Sequence, residues 1–379
     1  MTPDYDIIDC HGHIFPPLAG ACGYPSAADH LLHQQRAMHV HGNQPYRRLR
    51  DHALVTTRDL WNADDHSQAG RAQDARFRVG RNGRFEWEAR GESIYVQFLP
   101  PYMHEMSAPP DAMVVDMDYS GIGTVVLQND HIYGDLAPYF AEAMQRFPGR
   151  FIGLGQVDEP FGYRDDQLAK LEREVTQHGM RGLYFTMTAF FRNAYRHFPD
   201  EALFDPLWKM VSKHALPVFW VHSAKSAAGT YVDEMKRLRR VIERHPGIRH
   251  VLVHGVPTSI YCDGDDRIDF PPEVAALLDG YPVYSEVLYP IAWGGKMDYP
   301  YMRARHHIRQ VYDRFGPDRL VWGSDMPNVG RYCTYKQALT YAWDYCDFLS
   351  PTDRRKVFRD NTLSLFAGKP PHPDDRLPV

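Results

Sequence analysis

Two histidines separated by a single residue, His11 and His13, follow a short apolar segment near the start of the chain. Because side chains alternate along a β-strand, both imidazoles of such a pair lie on one face. Asp325 near the other end and His222 in between also follow apolar segments. Three imidazoles and a carboxylate suit Zn²⁺ best, with Mn²⁺ or Fe²⁺ as alternatives. The pattern therefore predicts one divalent metal ion, which would lower the pKa of a bound water.

The elements that must position these residues are eight short apolar runs, which alternate with amphipathic segments typical of helices. The predicted strands are Tyr5–Cys10, Gly123–Gln128, Phe151–Val157, Arg181–Phe185, Pro217–His222, Arg249–His254, Pro282–Glu286 and Arg319–Gly323. Nearly continuous apolar runs indicate parallel strands buried on both faces, and the alternation with helices indicates βαβ units. No Gly-x-Gly-x-x-Gly follows any run. We therefore predict an α/β fold, a (β/α)8 TIM barrel with its functional residues at the carboxyl ends of the strands.

A long segment separates the first predicted strand from the second. Residues 16–110 are too many for a simple barrel loop, so we predict an inserted lid or subdomain. Within it, Phe77–Trp87 alternates apolar and polar residues around Asn82-Gly83, which predicts a β-hairpin with a type I′ turn. The barrel itself is assigned to residues 1–15 and 111–367, and residues 368–379 are a C-terminal tail.

Composition excludes several classes of protein. The 379 residues carry a formal net charge of -5 without a basic stripe, which gives no support for nucleic-acid binding. No apolar run reaches the length of a membrane span, and Met1–Asp9 lacks the features of a secretory signal. Five cysteines without paired spacing favour a reducing compartment, so we expect a cytoplasmic protein.

Further polar residues follow the later strands and are predicted to contact a small-molecule substrate at the same mouth. They are Arg192, Glu286, Tyr289, Asn328 and Arg331. Arg192 or Arg331 could hold a substrate carboxylate in a bidentate pair, the alternative being a solvated loop arginine. Glu286 could be an additional metal ligand, a partner that orients a histidine, or a structural hydrogen-bonding group.

Four segments resemble the amidohydrolase superfamily, and specifically the amidohydrolase-related branch. That branch includes aminocarboxymuconate semialdehyde decarboxylase, resorcylate-type decarboxylases and several lactonases. The matching segments are Ile8–His13, Pro217–His222, Val251–Gly255 and Arg319–Pro327. The resemblance extends over residues 1–15 and about 111–367, and the insertion has no counterpart in it.

The resemblance implies roles for individual residues. His11, His13, His222 and Asp325 fall on the metal-ligand positions of the superfamily, and His254 falls on the position that acts as acid/base or polarises the substrate. The fourth predicted strand does not end in lysine, which argues against a carbamylated-lysine dinuclear site. Resembling enzymes are commonly dimers, so a homo-oligomer is expected.

Two reactions share these ligands. The first is hydrolysis of a small, aromatic or carboxylated ester, lactone or amide, in which Asp325 helps to deprotonate the attacking water. His254 would then polarise the carbonyl or protonate the leaving group. The alternative is non-oxidative decarboxylation of an aromatic or unsaturated carboxylic acid. A third possibility is a dinuclear metal oxygenase, if Glu286, His254 or a lid histidine joined the ligands. Many decarboxylases of this branch have a glycine pair after the sixth-strand histidine, whereas this chain has Gly255-Val256.

Overall fold

The structure is a computed structural model. It describes residues 4–40, 44–56, 59–62, 65, 74–222, 225–226, 229–287 and 298–367. Two predicted features, Tyr289 and the C-terminal tail at 368–379, lie outside the described residues.

Eight parallel strands form one sheet in which each strand pairs with the next along the chain. They are Ile7–Gly12, Ile122–Leu127, Phe151–Gln156, Gly182–Thr186, Val218–Val221, His250–Leu252, Val283–Glu286 and Leu320–Val321. The first and last strands also meet. The N–H of Cys10 donates to the carbonyl of Trp322 at 2.9 Å, and the N–H of Asp325 donates to the carbonyl of His11 at 2.8 Å. The sheet thus closes on itself, and the predicted (β/α)8 barrel is confirmed.

Helices lie between consecutive strands and after the last one. They span Pro110–Ser120, Ala137–Arg146, Asp165–Thr176, Asp205–Lys213, Tyr231–Arg244, Pro272–Gly280, Met302–Phe315, Tyr335–Trp343, Pro351–Arg355 and Asn361–Phe366, with a π-helical segment at Lys356–Asp360. The helix that follows the fifth strand begins with a capping box. Thr230 accepts the N–H of Asp233, and the Asp233 carboxylate accepts the N–H of Thr230. Among the described residues, no helix is long and apolar enough to cross a membrane.

The amino end of the barrel is filled by side chains. Tyr184, Phe219 and Val251 belong to one buried cluster that also contains Leu365 and Phe366 of the last helix. The rings of Phe219 and Phe366 stack with centroids 6.2 Å apart. Because this end is closed by packed side chains, a ligand must approach from the carboxyl ends of the strands.

The described part of the inserted segment forms a five-stranded antiparallel sheet and one long helix. In sheet order the strands are Leu54–Val55, Tyr46–Arg48, Glu92–Gln97, Arg84–Ala89 and Arg78–Val79. The last two strands pair around Asn82 and Gly83. These two residues have φ of 55° and 77°, as a type I′ turn requires.

The helix of the insertion, Ala27–Val40, was not predicted from the sequence. Its buried face consists mostly of polar side chains, including His30, Gln34 and Arg36. An amphipathic helix is recognised by an apolar stripe, and this helix has none. It is stabilised by specific hydrogen bonds instead; for example, the Gln34 amide donates to the carbonyl of Leu18 at 3.0 Å.

Candidate metal centre

The predicted ligands His11, His13 and Asp325 converge at the carboxyl end of the barrel. The Nε2 atoms of the two histidines lie 3.1 Å apart. The Oδ1 atom of Asp325 lies 3.0 Å from His13 Nε2 and 3.5 Å from His11 Nε2. All three side chains are buried, and one ligand atom from each lies within 4.8 Å of the others. Two imidazole nitrogens and a carboxylate oxygen at these separations fit a single divalent cation.

Each histidine of this trio is oriented through its other ring nitrogen. His11 Nδ1 lies 3.0 Å from Glu286 Oε2, and His13 Nδ1 lies 2.9 Å from the carbonyl oxygen of Gln128. In the neutral ring, both acceptors favour the Nδ1–H tautomer, which leaves the lone pair of Nε2 free. This arrangement of outer partners is typical of histidines that bind metals.

Glu286, which the sequence predicts to contact substrate, contacts His11 of the candidate metal centre. Besides His11, its carboxylate accepts the backbone N–H of His254 at 2.7 Å and the side-chain amide of Gln128 at 2.9 Å. The side chain is buried, and both of its oxygens are engaged. Glu286 therefore orients the ring of His11 and holds the backbone of His254.

His222 follows the fifth strand but does not belong to the compact trio. Its Nδ1 lies 2.8 Å from Glu234 Oε2. Its Nε2 is buried, and no described residue forms a hydrogen bond with it. The Trp220 ring stacks on the imidazole with an interplanar angle of 9°. An oriented imidazole with an unused buried nitrogen suits a fourth ligand, and that role stays a prediction.

Opposing charges dominate the electrostatics of the trio. Burial by itself lowers the pKa of His11, but Glu286 and Asp325 together raise it to about 9. Burial by itself raises the pKa of Asp325, but the hydrogen bond from His13 and the charges of His11 and His13 hold it well below its usual range. The centre is thus built to stabilise positive charge between two carboxylates.

Asn328, another predicted substrate contact, forms a hydrogen bond with the predicted metal ligand Asp325. Its side-chain amide donates to Asp325 Oδ1 at 2.7 Å and to the hydroxyl of Tyr133 at 2.7 Å. The Tyr133 ring lies 4.6 Å from that of His13. Asn328 and Tyr133 therefore position Asp325 and His13; sequence reasoning did not identify Tyr133, whose segment carries no recognisable motif.

Asp9 is a positioning residue that sequence reasoning also missed. Its Oδ1 accepts the N–H of His11 at 3.0 Å and the N–H of Ser324 at 2.9 Å, and its Oδ2 accepts the hydroxyl of Tyr335 at 2.6 Å. Burial raises the pKa of Asp9 to about 6 although these hydrogen bonds lower it. The signal available in the sequence was its place two residues before His11.

His254 lies beside the trio at the end of the sixth strand. Its ring centroid is 5.2 Å from that of His11. It has a φ of 65°, and Asp325 has a φ of 59°; such left-handed conformations at non-glycine residues concentrate at functional sites. Burial and the neighbouring charge of His11 lower the pKa of His254 to about 4. Its imidazole is therefore neutral near pH 7, a form that can accept a proton or donate a hydrogen bond.

The two predicted substrate-binding arginines occupy different surroundings. Arg331 donates from Nη1 to the carbonyl of Phe98, which ties the insertion to the barrel. Arg192 donates from Nη1 to Asp158 Oδ1, while its Nε is buried without a partner among the described residues. Each arginine therefore retains a buried Nε donor that no described residue uses, and Arg331 also holds the insertion in place.

Arg36, from the helix of the insertion, lies close to Arg192 and Asp158. Within the described part of the chain, its guanidinium makes no ion pair or hydrogen bond, although the side chain is only 5% exposed. Burial and the charge of Arg192 lower the pKa of Arg36 to about 10. The nearby Glu159 lies 3.2 Å from His131, so it is already paired. An unpaired buried charge is costly unless an anion compensates it.

Comparisons with known proteins agree with this architecture. The L-fucono-1,5-lactonase of Burkholderia ambifaria is 36% identical over 69 residues, which is 17% of this chain and 24% of that protein. The match thus spans about a quarter of that relative. A probable 2-pyrone-4,6-dicarboxylic acid hydrolase from Acinetobacter baumannii, solved with citric acid bound, superposes with a TM-score of 0.52 at 16% identity. That superposition covers 69% of this chain and 90% of the other.

An apo structure from Agrobacterium tumefaciens covers 96% of both chains with a TM-score of 0.54 and 13% identity. At these identities the solved structures support the fold. The family profile described as amidohydrolase matches residues 8–367, which include all the barrel strands except the first residue of the first. The chain belongs to the amidohydrolase family.

Proposed function

We propose that the protein is a metal-dependent hydrolase that cleaves a small carboxylated ester, lactone or amide. One divalent ion, Zn²⁺ in the first place, would be held by His11, His13 and Asp325 with His222 as a further ligand. The observation that carries the proposal is the buried trio, whose three ligand atoms lie within 4.8 Å of one another. When bound there, such an ion acts as a Lewis acid and lowers the pKa of water towards neutrality.

The residues around the trio suit acyl transfer to water. Asp325 is ionised near pH 7 and can accept a proton from an attacking water. The neutral imidazole of His254, held through its backbone by Glu286, can donate a hydrogen bond to a carbonyl oxygen. Its lowered pKa makes it a weaker candidate for protonating a leaving group.

The carboxylated character of the substrate rests on Arg36 and Arg192. Arg192 follows the fourth strand, and Arg36 approaches from the insertion. Asp158 compensates one of the two positive charges. A substrate carboxylate would compensate the other and use the free Nε of Arg192. This supports the predicted role of Arg192 and adds Arg36 to it.

The local match to a lactonase favours a lactone among the possible scissile groups. The homodimeric state and the cytoplasmic location expected from the sequence, and the lid role of residues 16–110, stay predictions.

The proposal is tested by presenting the zinc-loaded protein with matched lactones, esters and hydroxybenzoates. We expect one acid equivalent per bond cleaved, measured by pH-stat titration, and no CO₂. Release of CO₂ from a hydroxybenzoate without hydrolysis of any ester or lactone would assign decarboxylation instead. Two iron ions per chain would reject both reactions in favour of oxygen chemistry.

The metal site is tested with His11→Ala, which should lose the bound ion and the activity together. His197→Ala serves as the matched control, because His197 is exposed and pairs with Glu201 on the surface. Full activity of His11→Ala with its metal content unchanged would refute the site.

A further inference from the structure

We propose a second metal site, a structural zinc site formed by Cys262, Asp266 and His307. None of these residues belongs to the trio of His11, His13 and Asp325. Cys262 and Asp266 lie in the turn that follows the sixth barrel strand, and His307 lies on the helix Met302–Phe315. The proposal is independent of the reaction that the barrel catalyses.

The three side chains point at a common position. His307 is fully buried, and its Nε2 lies 3.5 Å from Cys262 Sγ and 3.7 Å from Asp266 Oδ1. The ligand atoms all lie within 4.8 Å of one another. One imidazole nitrogen therefore faces a thiol and a carboxylate at once.

These separations also suit ligands of a shared metal ion. Zinc bonds of about 2.0–2.2 Å to nitrogen or oxygen and about 2.3 Å to sulfur place tetrahedral ligands roughly 3.3–3.6 Å apart. The two distances from His307 Nε2 come within a few tenths of an ångström of that range. Cysteine, histidine and aspartate together form a borderline ligand set that favours Zn²⁺. Solvent can supply the fourth ligand, because Cys262 and Asp266 are partly exposed.

Hydrogen bonds position the side chains and the turn of the proposed site. His307 Nδ1 lies 3.2 Å from the hydroxyl of Thr258, which orients the ring with Nε2 towards the turn. The turn is closed by a bridge between Cys262 and Ile268. Gln310, three residues after His307, accepts the N–H of Ile268 at 2.8 Å and donates to the carbonyl of Asp266 at 2.7 Å.

Arg303 competes for the same carboxylate. It contacts both oxygens of Asp266, with Nη2 2.6 Å from Oδ1. A carboxylate can bridge an arginine and a metal ion, since each oxygen has two lone pairs. Zinc with one thiolate and one carboxylate is neutral, so Arg303 leaves the site with a single positive charge. Binding one Zn²⁺ breaks the S–H bond of Cys262, forms the Zn–S bond and releases that proton to solvent.

The proposed ion would cross-link the turn after the sixth strand to the helix after the seventh. The sixth strand ends two residues before His254. The cross-link would therefore stabilise the segment that follows the proposed catalytic histidine. Its expected effect is on folding stability, because no ligand of the second site contacts the trio among the described residues.

Cobalt substitution tests the proposal, because a thiolate bound to Co²⁺ gives a charge-transfer band in the near ultraviolet. Only the second site contains sulfur. We expect two Co²⁺ per chain and this band in the wild type. His11→Ala should lose one equivalent and keep the band, whereas Cys262→Ser should lose the other equivalent together with the band. Cys22→Ser is the matched control and should keep both, since Cys22 is buried elsewhere and contacts the carbonyl of Pro17.

A stability measurement gives a second readout. In the His11→Ala background a chelator should lower the melting temperature, and in His11→Ala/Cys262→Ser it should not. Asp266→Asn, a change at a partly exposed position, should fold and weaken Co²⁺ binding at the sulfur site. A wild type that lacks the charge-transfer band, or a band that persists unchanged in Cys262→Ser, would overturn the proposal.

Discussion

The carboxylate of Asp9 accepts the backbone N–H of Ser324 at 2.9 Å, across 315 residues of sequence. Ser324 directly precedes the proposed metal ligand Asp325, and Asp9 lies two residues before the proposed ligand His11. One buried side chain thus joins the strand ends that carry the ligands of the candidate metal centre. The closure of the barrel itself brings the proposed ligands together, which would reduce the cost of ordering them for a metal ion.

Tyr335→Phe tests the contribution of this junction. The hydroxyl of Tyr335 donates to Asp9 Oδ2 at 2.6 Å, and both side chains are buried. Loss of a hydrogen bond to a charged acceptor should lower the free energy of unfolding by about 1.5–3 kcal/mol, as measured by urea denaturation. Tyr119→Phe, at an exposed residue, is the control and should change it by less than about 0.5 kcal/mol. Equal stability of the two variants would contradict the prediction.

Glu286→Gln tests whether Glu286 orients His11 for metal binding. Glu286 accepts from His11 Nδ1 and from the backbone of His254, so an amide in its place weakens both contacts. We expect metal affinity to fall by about 10- to 100-fold, as measured by competition with a chelator. Glu105→Gln, at an exposed carboxylate, should leave the affinity unchanged. Wild-type affinity in Glu286→Gln would show that Glu286 does not orient His11.

Arg36→Met tests the anion site in two ways. Removing a buried guanidinium that has no partner among the described residues should leave the protein at least as stable in anion-free buffer. Citrate, a carboxylate probe, should raise the melting temperature of the wild type but not of the variant. With a carboxylated substrate, we expect KM to rise by about 10- to 100-fold with little change in kcat. Arg76→Met, on an exposed side chain, is the control. A citrate response retained in full by Arg36→Met would exclude this role.

His250 predicts a loss of stability in acid. Its Nδ1 accepts the indole N–H of Trp220 at 3.0 Å, and its Nε2 finds no partner among the described residues. Burial lowers the pKa of His250 to about 3, compared with about 6.5 in the unfolded chain. Between these values the unfolded state binds a proton that the folded state does not bind. Stability is therefore lost as pH falls below about 6.5, at about 1.4 kcal/mol per pH unit.

The measurement is the free energy of unfolding of the wild type and of His250→Gln between pH 4.5 and 7. This range extends about two pH units below the pKa of histidine in the unfolded chain and stays above the pKa of about 3 in the folded protein. Glutamine can still accept the Trp220 N–H but does not titrate. The wild type should lose stability more steeply than the variant as pH falls. Parallel curves would show that His250 does not remain neutral in the folded protein.

Local patterns were sufficient for the barrel and for part of its site. The short apolar runs predicted the strand ends to within two residues. Burial on both faces requires apolar residues along each strand, and this makes the strands recognisable in the sequence. His11, His13 and Asp325 could be placed together because the carboxyl ends of parallel strands meet at one end of a barrel. Asn82-Gly83 likewise predicted its turn from two residues, since few residues adopt positive φ.

The remaining features depend on contacts between residues far apart in the chain. The helix Ala27–Val40 buries polar side chains, so its hydrogen-bonding partners elsewhere stabilise it rather than an apolar stripe. The isolation of Arg36, and the bond from Asp9 to Ser324, exist only once the insertion packs and the barrel closes. The sequence was enough to predict the strands and to group His11, His13 and Asp325. The fold determined their partners, because hydrogen bonds and burial depend on distances that periodicity does not encode.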